Sequence, residues 1–399
     1  HMKMEVDDPS SMKNVTFRAN GLMVAEFVQP PFEADVNFDV LFIDINTLPK
    51  NIYVQFEAVD YLGQTTTQAV NVMVYKRHIW TFETVGEIWP TASALPNGNI
   101  VFGNNNNKLF CLNQNGGQEW VINTSGSITV KTGVNQSNSS SYYSGLDGNV
   151  YGVNSGSSNQ WSMNMQSPPS GGLVHQNGQV YVASYSGTVY SLTEGGGGVS
   201  WQVALPGFIS SSPEVAPDGT VYIGCQDNSM YAIQNGSIIW SIPTGGEVWS
   251  SPTFGADQRI YFGSNDGWVY SVKQDGGPWW VTEVQGQMWG KPLVASDGSI
   301  YVASTSKYVS KHDPQTGDMV WETKTEGLSY SSPAEGPNGN IYIGTTGGKV
   351  FCLDFETGLI QWTYTIGDTI HATPLIVGNK LFIGSTDRNM YSLWVGQPN

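Results

Sequence analysis

Residues 250–280 read SSPTFGADQRIYFGSNDGWVYSVKQDGGPWW and carry the local grammar of most of the chain. Ser250-Ser251-Pro252 opens the stretch, Asp257-Gln258 turns, and Ile260-Tyr261-Phe262-Gly263 follows. Asp266-Gly267 turns again, and Val269-Tyr270-Ser271-Val272 leads through Asp275-Gly276-Gly277 to Trp280. Short runs of β-branched and aromatic residues separated by Asp and Gly pairs are the signature of four short strands joined by three tight turns.

The same grammar recurs on both sides. Tryptophans stand at 80, 120, 161, 201, 240, 280, 321 and 362, with successive spacings of 40, 41, 40, 39, 40, 41 and 41. A period of about 40 residues with four strands per unit marks a β-propeller. Asn97-Gly98, Asn177-Gly178, Asp218-Gly219, Asp297-Gly298 and Asn338-Gly339 all fall in the first-to-second strand connection, where a tight hairpin needs positive φ. Pro213, Pro252, Pro292, Pro333 and Pro374 each stand twelve residues past a tryptophan, in what is expected to be the innermost strand. An innermost strand is a sheet edge, where a missing N–H is tolerated. The last unit, ending near Tyr391-Ser392-Leu393-Trp394, has three strands and lacks its tryptophan-bearing one. The segment His78-Ile79-Trp80-Thr81-Phe82 is expected to supply it, closing an eight-bladed ring that leaves only short edges.

These repeats resemble the quinoprotein-type repeat of pyrroloquinoline-quinone (PQQ) dehydrogenases and of the related non-enzymatic propeller lipoprotein of the outer-membrane barrel-assembly machinery. The resemblance covers roughly residues 77–399. Its most specific stretches, residues 352–362 (CLDFETGLIQW) and 311–321 (KHDPQTGDMVW), fit the family's Ala-x-Asp-x-x-Thr-Gly-x-x-x-Trp motif except at the first position. In the family these residues hold blades together. A period-locked indole next to a polar turn serves the same end by burying a large aromatic at each blade-to-blade contact.

Residues 3–76 lack the repeat. Val36-Phe38-Val40-Phe42, Ile52-Val54-Phe56-Ala58 and Val70-Val72-Val74 alternate with period two, which predicts a small antiparallel β-sandwich. The run from Ala58 to Gln64, followed by Thr65 to Val74, resembles the final hairpin of bacterial immunoglobulin-like modules. The fold expected for the whole chain is therefore all-β: an immunoglobulin-like domain over 3–76 and an eight-bladed propeller over 77–399.

Composition narrows the function. Charged residues make up 13% and the net charge is -16, which disfavours capture of nucleic acid or anionic lipid. No apolar run approaches the ~20 residues of a membrane span. His1-Met2 reads as a cloning remnant, so any native export signal is expected to have been removed, and a lipid anchor stays open on the condition that there was one. Cys111, Cys225 and Cys352 are odd in number, widely spaced and set among apolar neighbours, so each reads as a small core hydrophobe. His1, His78, His175, His312 and His371 show no zinc spacing, no Gly-x-Ser-x-Gly elbow occurs, and Gly195 to Gly198 lie in an outer turn that opens no helix.

The dehydrogenase relatives imply a quinone held beside a bridge between adjacent cysteines, with calcium on acidic and amide side chains. This chain has no Cys-Cys pair, and Asn265-Asp266 reads as a turn. No cofactor and no metal are therefore expected.

One repeat position departs from structural monotony. Nine residues past each tryptophan stand Trp89, Thr129, Ser170, Ser210, Trp249, Trp289, Tyr330 and His371. Once the ring closes, five consecutive blades carry a ring at the start of the innermost strand, at one mouth of the central channel. Trp268, in the second turn region of its unit, is a candidate extension, and Lys131 and Lys291, each eleven past a tryptophan, are candidates to place charge in the channel. Such rings either wedge between adjacent strands or form a platform for a ligand. The functional expectation is a non-catalytic binding or scaffolding protein, secreted, periplasmic or cell-surface, engaging a glycan, peptide or protein partner through Trp89, Trp249, Trp268, Trp289, Tyr330 and His371. The alternative is a PQQ-dependent dehydrogenase.

Overall fold

The structure is a computed structural model that describes residues 77–396 except 156 and, before them, residues 2–3, 12–19, 22–27, 33–34, 50–60, 62 and 64–74. Two compact units divide the chain, 1–78 with 397–399, and 79–396.

In the first unit, Leu22–Phe27, Met12–Ala19, Lys50–Asp60 and Thr65–Val74 form a four-stranded antiparallel sheet in that order. The long hairpin pairs Ile52 with Val72 and Val54 with Val70, so the alternating residues share one register. Val15, Phe17 and Ala58, which share one face, are buried, and so is Thr16 on the other face. The expected strand over 36–42 lies outside the described residues.

The second unit is all-β, with no helix among the described residues. Eight four-stranded antiparallel sheets follow one another along the chain. The fifth contains Thr253–Phe254, Arg259–Gly263, Trp268–Lys273 and Pro278–Glu283. The last is built from Leu375–Val377, Lys380–Gly384 and Asn389–Trp394, with His78–Glu83 hydrogen-bonded to it as the outermost strand. Innermost strands of successive sheets lie side by side, and the innermost strand of the last sheet neighbours that of the first. This is a β-propeller. The five repeat prolines stand one residue ahead of these innermost strands rather than inside them, because the strands near the axis are only two or three residues long.

Second and third strands are sandwiched between neighbouring sheets, and runs such as Ile341–Gly344 and Val221–Cys225 are buried throughout. Covering both faces explains why they read as continuous apolar runs rather than alternating ones. Each interface draws side chains from two sheets, as where Tyr222 and Met230 meet Ile260 and Phe262. Buried Cys111, Cys225 and Cys352 carry free thiols. Burial pushes the Cys111 thiol up to about 12 and that of Cys225 up to about 11, so neither is reactive near neutral pH.

The repeat tryptophans do not sit fully inside these interfaces, as the sequence led one to expect. All are half-buried, lying across the outer turn of the next sheet. The indole N–H of Trp80 donates to the carbonyl of Gln114, that of Trp240 to Gln274, that of Trp280 to Pro314 and that of Trp321 to Phe355, each 34 residues ahead. The ring then covers a glycine of that turn. At Gly317, φ is +78° and an added Cβ would stand 2.7 Å from the Trp280 ring, so only glycine supplies both the backbone and the room.

Candidate functional site

The connection entering each sheet carries a fully buried residue eight past the tryptophan, including Ile88, Ile128, Ile209, Val248, Met288 and Ile370. This residue plugs into the preceding sheet over its second strand. Met288 does so at Gly263, where a Cβ would meet the Met288 side chain at 2.3 Å. The plug anchors the connection, and the next residue, at repeat position nine, is thereby set at the channel mouth.

The structure brings the five position-nine rings into one unbroken series. Trp249 meets Trp289 with centroids 4.8 Å apart and planes tilted by 45°. Trp289 stacks on Tyr330 at 4.6 Å, Tyr330 on His371 at 5.6 Å, and His371 on Trp89 at 4.8 Å. These spacings are those of favourable aromatic pairs. The rings are wedges for one another, and they are also open to solvent: Trp89 is 43% exposed and the other four are half-buried. Because the inner rings spend their faces on each other, they offer edges, and only the outer sides of Trp89 and Trp249 are left without a stacked neighbour among the described rings. The indole N–H groups of these two terminal rings donate to Glu87 (2.6 Å) and Glu247 (2.7 Å), two residues earlier in each case. The Trp289 N–H is buried with no acceptor among the described residues. Burial holds His371 below the usual histidine range, with Glu87 and Asp368 opposing, so the imidazole in the stack is neutral near neutral pH.

Trp268 does not join this series. It is the first residue of the third strand of its sheet, not a turn residue, is 37% exposed, and has no ring contact with the arc.

Below the arc, the lumen is lined by residues from all eight sheets, with a volume of about 580 Å³, continuous in its lining with a smaller space of about 230 Å³ at the mouth. Position eleven rings this lumen with Thr91, Lys131, Gly172, Ser212, Ser251, Lys291, Ser332 and Thr373. A belt of hydrogen bonds runs around it, each from a backbone N–H to the hydroxyl of the next sheet. Gly172 donates to Ser212 (2.7 Å) and Ser212 to Ser251 (2.8 Å). Lys291 donates to Ser332 (2.8 Å), Ser332 to Thr373 (3.0 Å) and Thr373 to Thr91 (2.9 Å). The belt breaks where Lys131, Gly172 or Lys291 offers no hydroxyl. The Lys291 ammonium pairs with Glu214 at 2.7 Å. Lys131 lines the lumen with an exposed side chain, and its ammonium has no hydrogen-bond or ion-pair partner among the described residues. Enclosure, and secondarily Lys291, lower its pKa, while Glu214 opposes.

Sequence reasoning marked the two lysines but missed the hydroxyl belt, whose only signal was a recurrent Ser or Thr at one repeat position. It also missed Tyr185 and Phe208, stacked at 5.0 Å and 47% and 53% exposed. Phe208 holds repeat position seven, whose carbonyl accepts from a second-to-third strand turn, as Phe208 does from Gln226 and Pro168 from Tyr185. Both rings thus share the end of the molecule that carries the arc.

The calcium of the dehydrogenases does not fit these residues. The lining of the mouth contains no carboxylate and two lysines, the reverse of what calcium needs, and among the described residues no acidic or histidine cluster suits a metal.

Fold and site together define a β-propeller with an aromatic rim around one mouth of its channel. The chain belongs to the family described as outer membrane protein assembly factor BamB, whose model matches residues 146–243, 229–331 and 305–395. Among solved structures it is similar to BamB from Moraxella catarrhalis, at 19% identity and a TM-score of 0.69 over 79% of this chain and 99% of that one. It is also similar to the computationally designed Ika8 protein (13% identity, TM-score 0.70, 80% and 100% covered) and to Sqt1 of Saccharomyces cerevisiae (11%, 0.72, 81% and 100%). At such identities the likeness is one of fold. No curated protein matches the chain.

Proposed function

We propose that this protein is a non-catalytic scaffold of the cell envelope: an eight-bladed propeller over 77–399, closed by the strand of Trp80 and preceded over 3–76 by an immunoglobulin-like domain, that docks a partner protein on the face bearing the aromatic arc. Family membership supports the scaffold role and the envelope setting, since the family's own description is of an assembly factor of the outer membrane. The contiguity of Trp249, Trp289, Tyr330, His371 and Trp89 carries the choice of face. Val85, Leu146, Tyr185 and Phe208 add exposed apolar surface at the same end. Clustered apolar surface is the usual mark of an interaction site, and aromatic side chains dominate its energetics. A protein partner is favoured over a glycan because the inner rings turn edges rather than faces outward, leaving little flat surface on which a sugar can stack.

The test is affinity capture from native envelope extract alongside a glycan array, each with wild-type protein and the Trp89→Ala/Trp249→Ala variant. Capture of a defined protein by wild type and its loss in the variant supports the reading. Equal capture by both sinks the choice of face, and glycan binding without protein capture replaces the partner class.

A further inference from the structure

We propose that the lumen beneath the arc is a carboxylate-binding site centred on Lys131. Two observations independent of the arc meet there. The first is the unpartnered ammonium. Glu214 is committed to Lys291 and to the N–H of Phe254, and Glu335, the other carboxylate lining the lumen, accepts from the N–H and hydroxyl of Ser296. Lys131 is left as the one lumen ammonium with no carboxylate in hydrogen-bond or ion-pair contact among the described residues. A carboxylate that reaches this ammonium adds a charge-assisted hydrogen bond that the protein itself does not supply.

The second observation is the polarity of the belt. The hydroxyls of Thr91, Ser212, Ser251, Ser332 and Thr373 each accept a backbone N–H from the adjacent sheet, and none has an acceptor for its own proton among the described residues. A hydroxyl that has accepted still has one proton to give. The lumen is thus ringed by O–H donors and a free ammonium, with its carboxylates already engaged. An acceptor-only group with one negative charge is the complement of this set, and a carboxylate is that group. A phosphate brings a second charge that Glu214 repels.

At this repeat position five of the eight sheets carry Ser or Thr, and Lys131 and Lys291 are its two lysines. Lys131→Ser therefore returns the residue that the belt uses elsewhere.

The experiment is equilibrium dialysis of labelled acetate against the full chain at constant ionic strength in chloride, with wild type, Lys131→Ser and Lys131→Gln. One saturable site per chain is expected in wild type, with affinity about tenfold weaker in both variants, the loss of one charge-assisted contact. Phosphate is expected to displace acetate less well than unlabelled acetate does. N-acetylglycinate and glucuronate as competitors then separate a peptide terminus from a sugar acid as the natural source. Absence of saturable binding to wild type, unchanged affinity in either folded variant, or displacement by phosphate as effective as by acetate overturns the assignment. Trp89→Ala/Trp249→Ala is expected to leave acetate binding intact, so failure of this site and failure of the docking face are told apart.

Discussion

The N–H of Thr373 donates to Oγ1 of Thr91 at 2.9 Å, joining residues 282 positions apart in the chain. Beside this bond His371 stacks on Trp89, so the last connection and the first meet both at the lumen wall and at its rim. The contact is a local hydrogen bond in space and a ring closure in topology.

Thr91→Val keeps the shape of the side chain and removes the acceptor, leaving the Thr373 N–H without its partner. The expected cost is about 1–2 kcal/mol, that of an unsatisfied, partly buried backbone donor. Urea denaturation read by tryptophan fluorescence checks it, and an unchanged midpoint would show that the belt is incidental to closure.

Trp321 and Gly358 form one docking unit, since a Cβ at Gly358 would stand 2.6 Å from the indole and the Trp321 N–H donates to the carbonyl of Phe355. Trp321→Ala is expected to destabilise by about 2–4 kcal/mol, somewhat below a full core truncation because the ring is half-buried. Gly358→Ala, at φ +73°, is expected to cost at least ~1 kcal/mol. Because each change disrupts the same contact, the double variant should cost less than the sum. Additive losses would contradict the docking geometry.

Within the arc, position should decide the effect of truncation. Trp89 and Trp249, at the two ends, are expected to lose partner capture on change to alanine while shifting stability little. Trp289, flanked by Trp249 and Tyr330, is expected to cost more stability. Thermal denaturation of the three single variants tests this order, which fails if an end variant proves the least stable.

The lowered pKa of Lys131 gives a pH dependence of definite sign. Below its folded-state value both folded and unfolded chains hold the proton, and the cost of holding the cation against the lumen wall and beside Lys291 is present in full, eased by Glu214 and screened by the water that reaches this exposed side chain. Between that value and the ordinary lysine value of 10.5 the unfolded chain binds more protons, so stability rises with pH across this window. Lys131→Ser should therefore be more stable than wild type near neutral pH, by a margin that shrinks as pH approaches 10.5. Denaturation midpoints of the two proteins from pH 7 to 10.5 measure it, and a constant or widening difference would refute it.

With PQQ and calcium added, no dye reduction by alcohols or sugars is expected, because the mouth presents lysines where calcium would need carboxylates. Turnover dependent on added quinone would falsify that.

The sequence by itself determined the propeller repeat. Turn chemistry at Asp266-Gly267, the tryptophan period and the continuous apolar runs are local properties, set by φ preferences and by burial on both faces. It also placed five rings at one repeat position, since the position is counted along the chain. Only the tertiary structure decided what those rings do. Whether Trp289 shows a face or an edge depends on the side-chain torsions left to it by Trp249 and Tyr330, which approach from neighbouring sheets some 40 residues away. Trp268, equally aromatic on paper, falls on the third strand, two rows outward from the innermost, and stays apart. The hydroxyl belt was unreadable for the same reason, because each of its bonds joins two sheets and no residue's own neighbours along the chain reveal it. Lys131 is the sharpest case: only the closing of the ring sets it in the wall of a lumen where no carboxylate among the described residues reaches its ammonium.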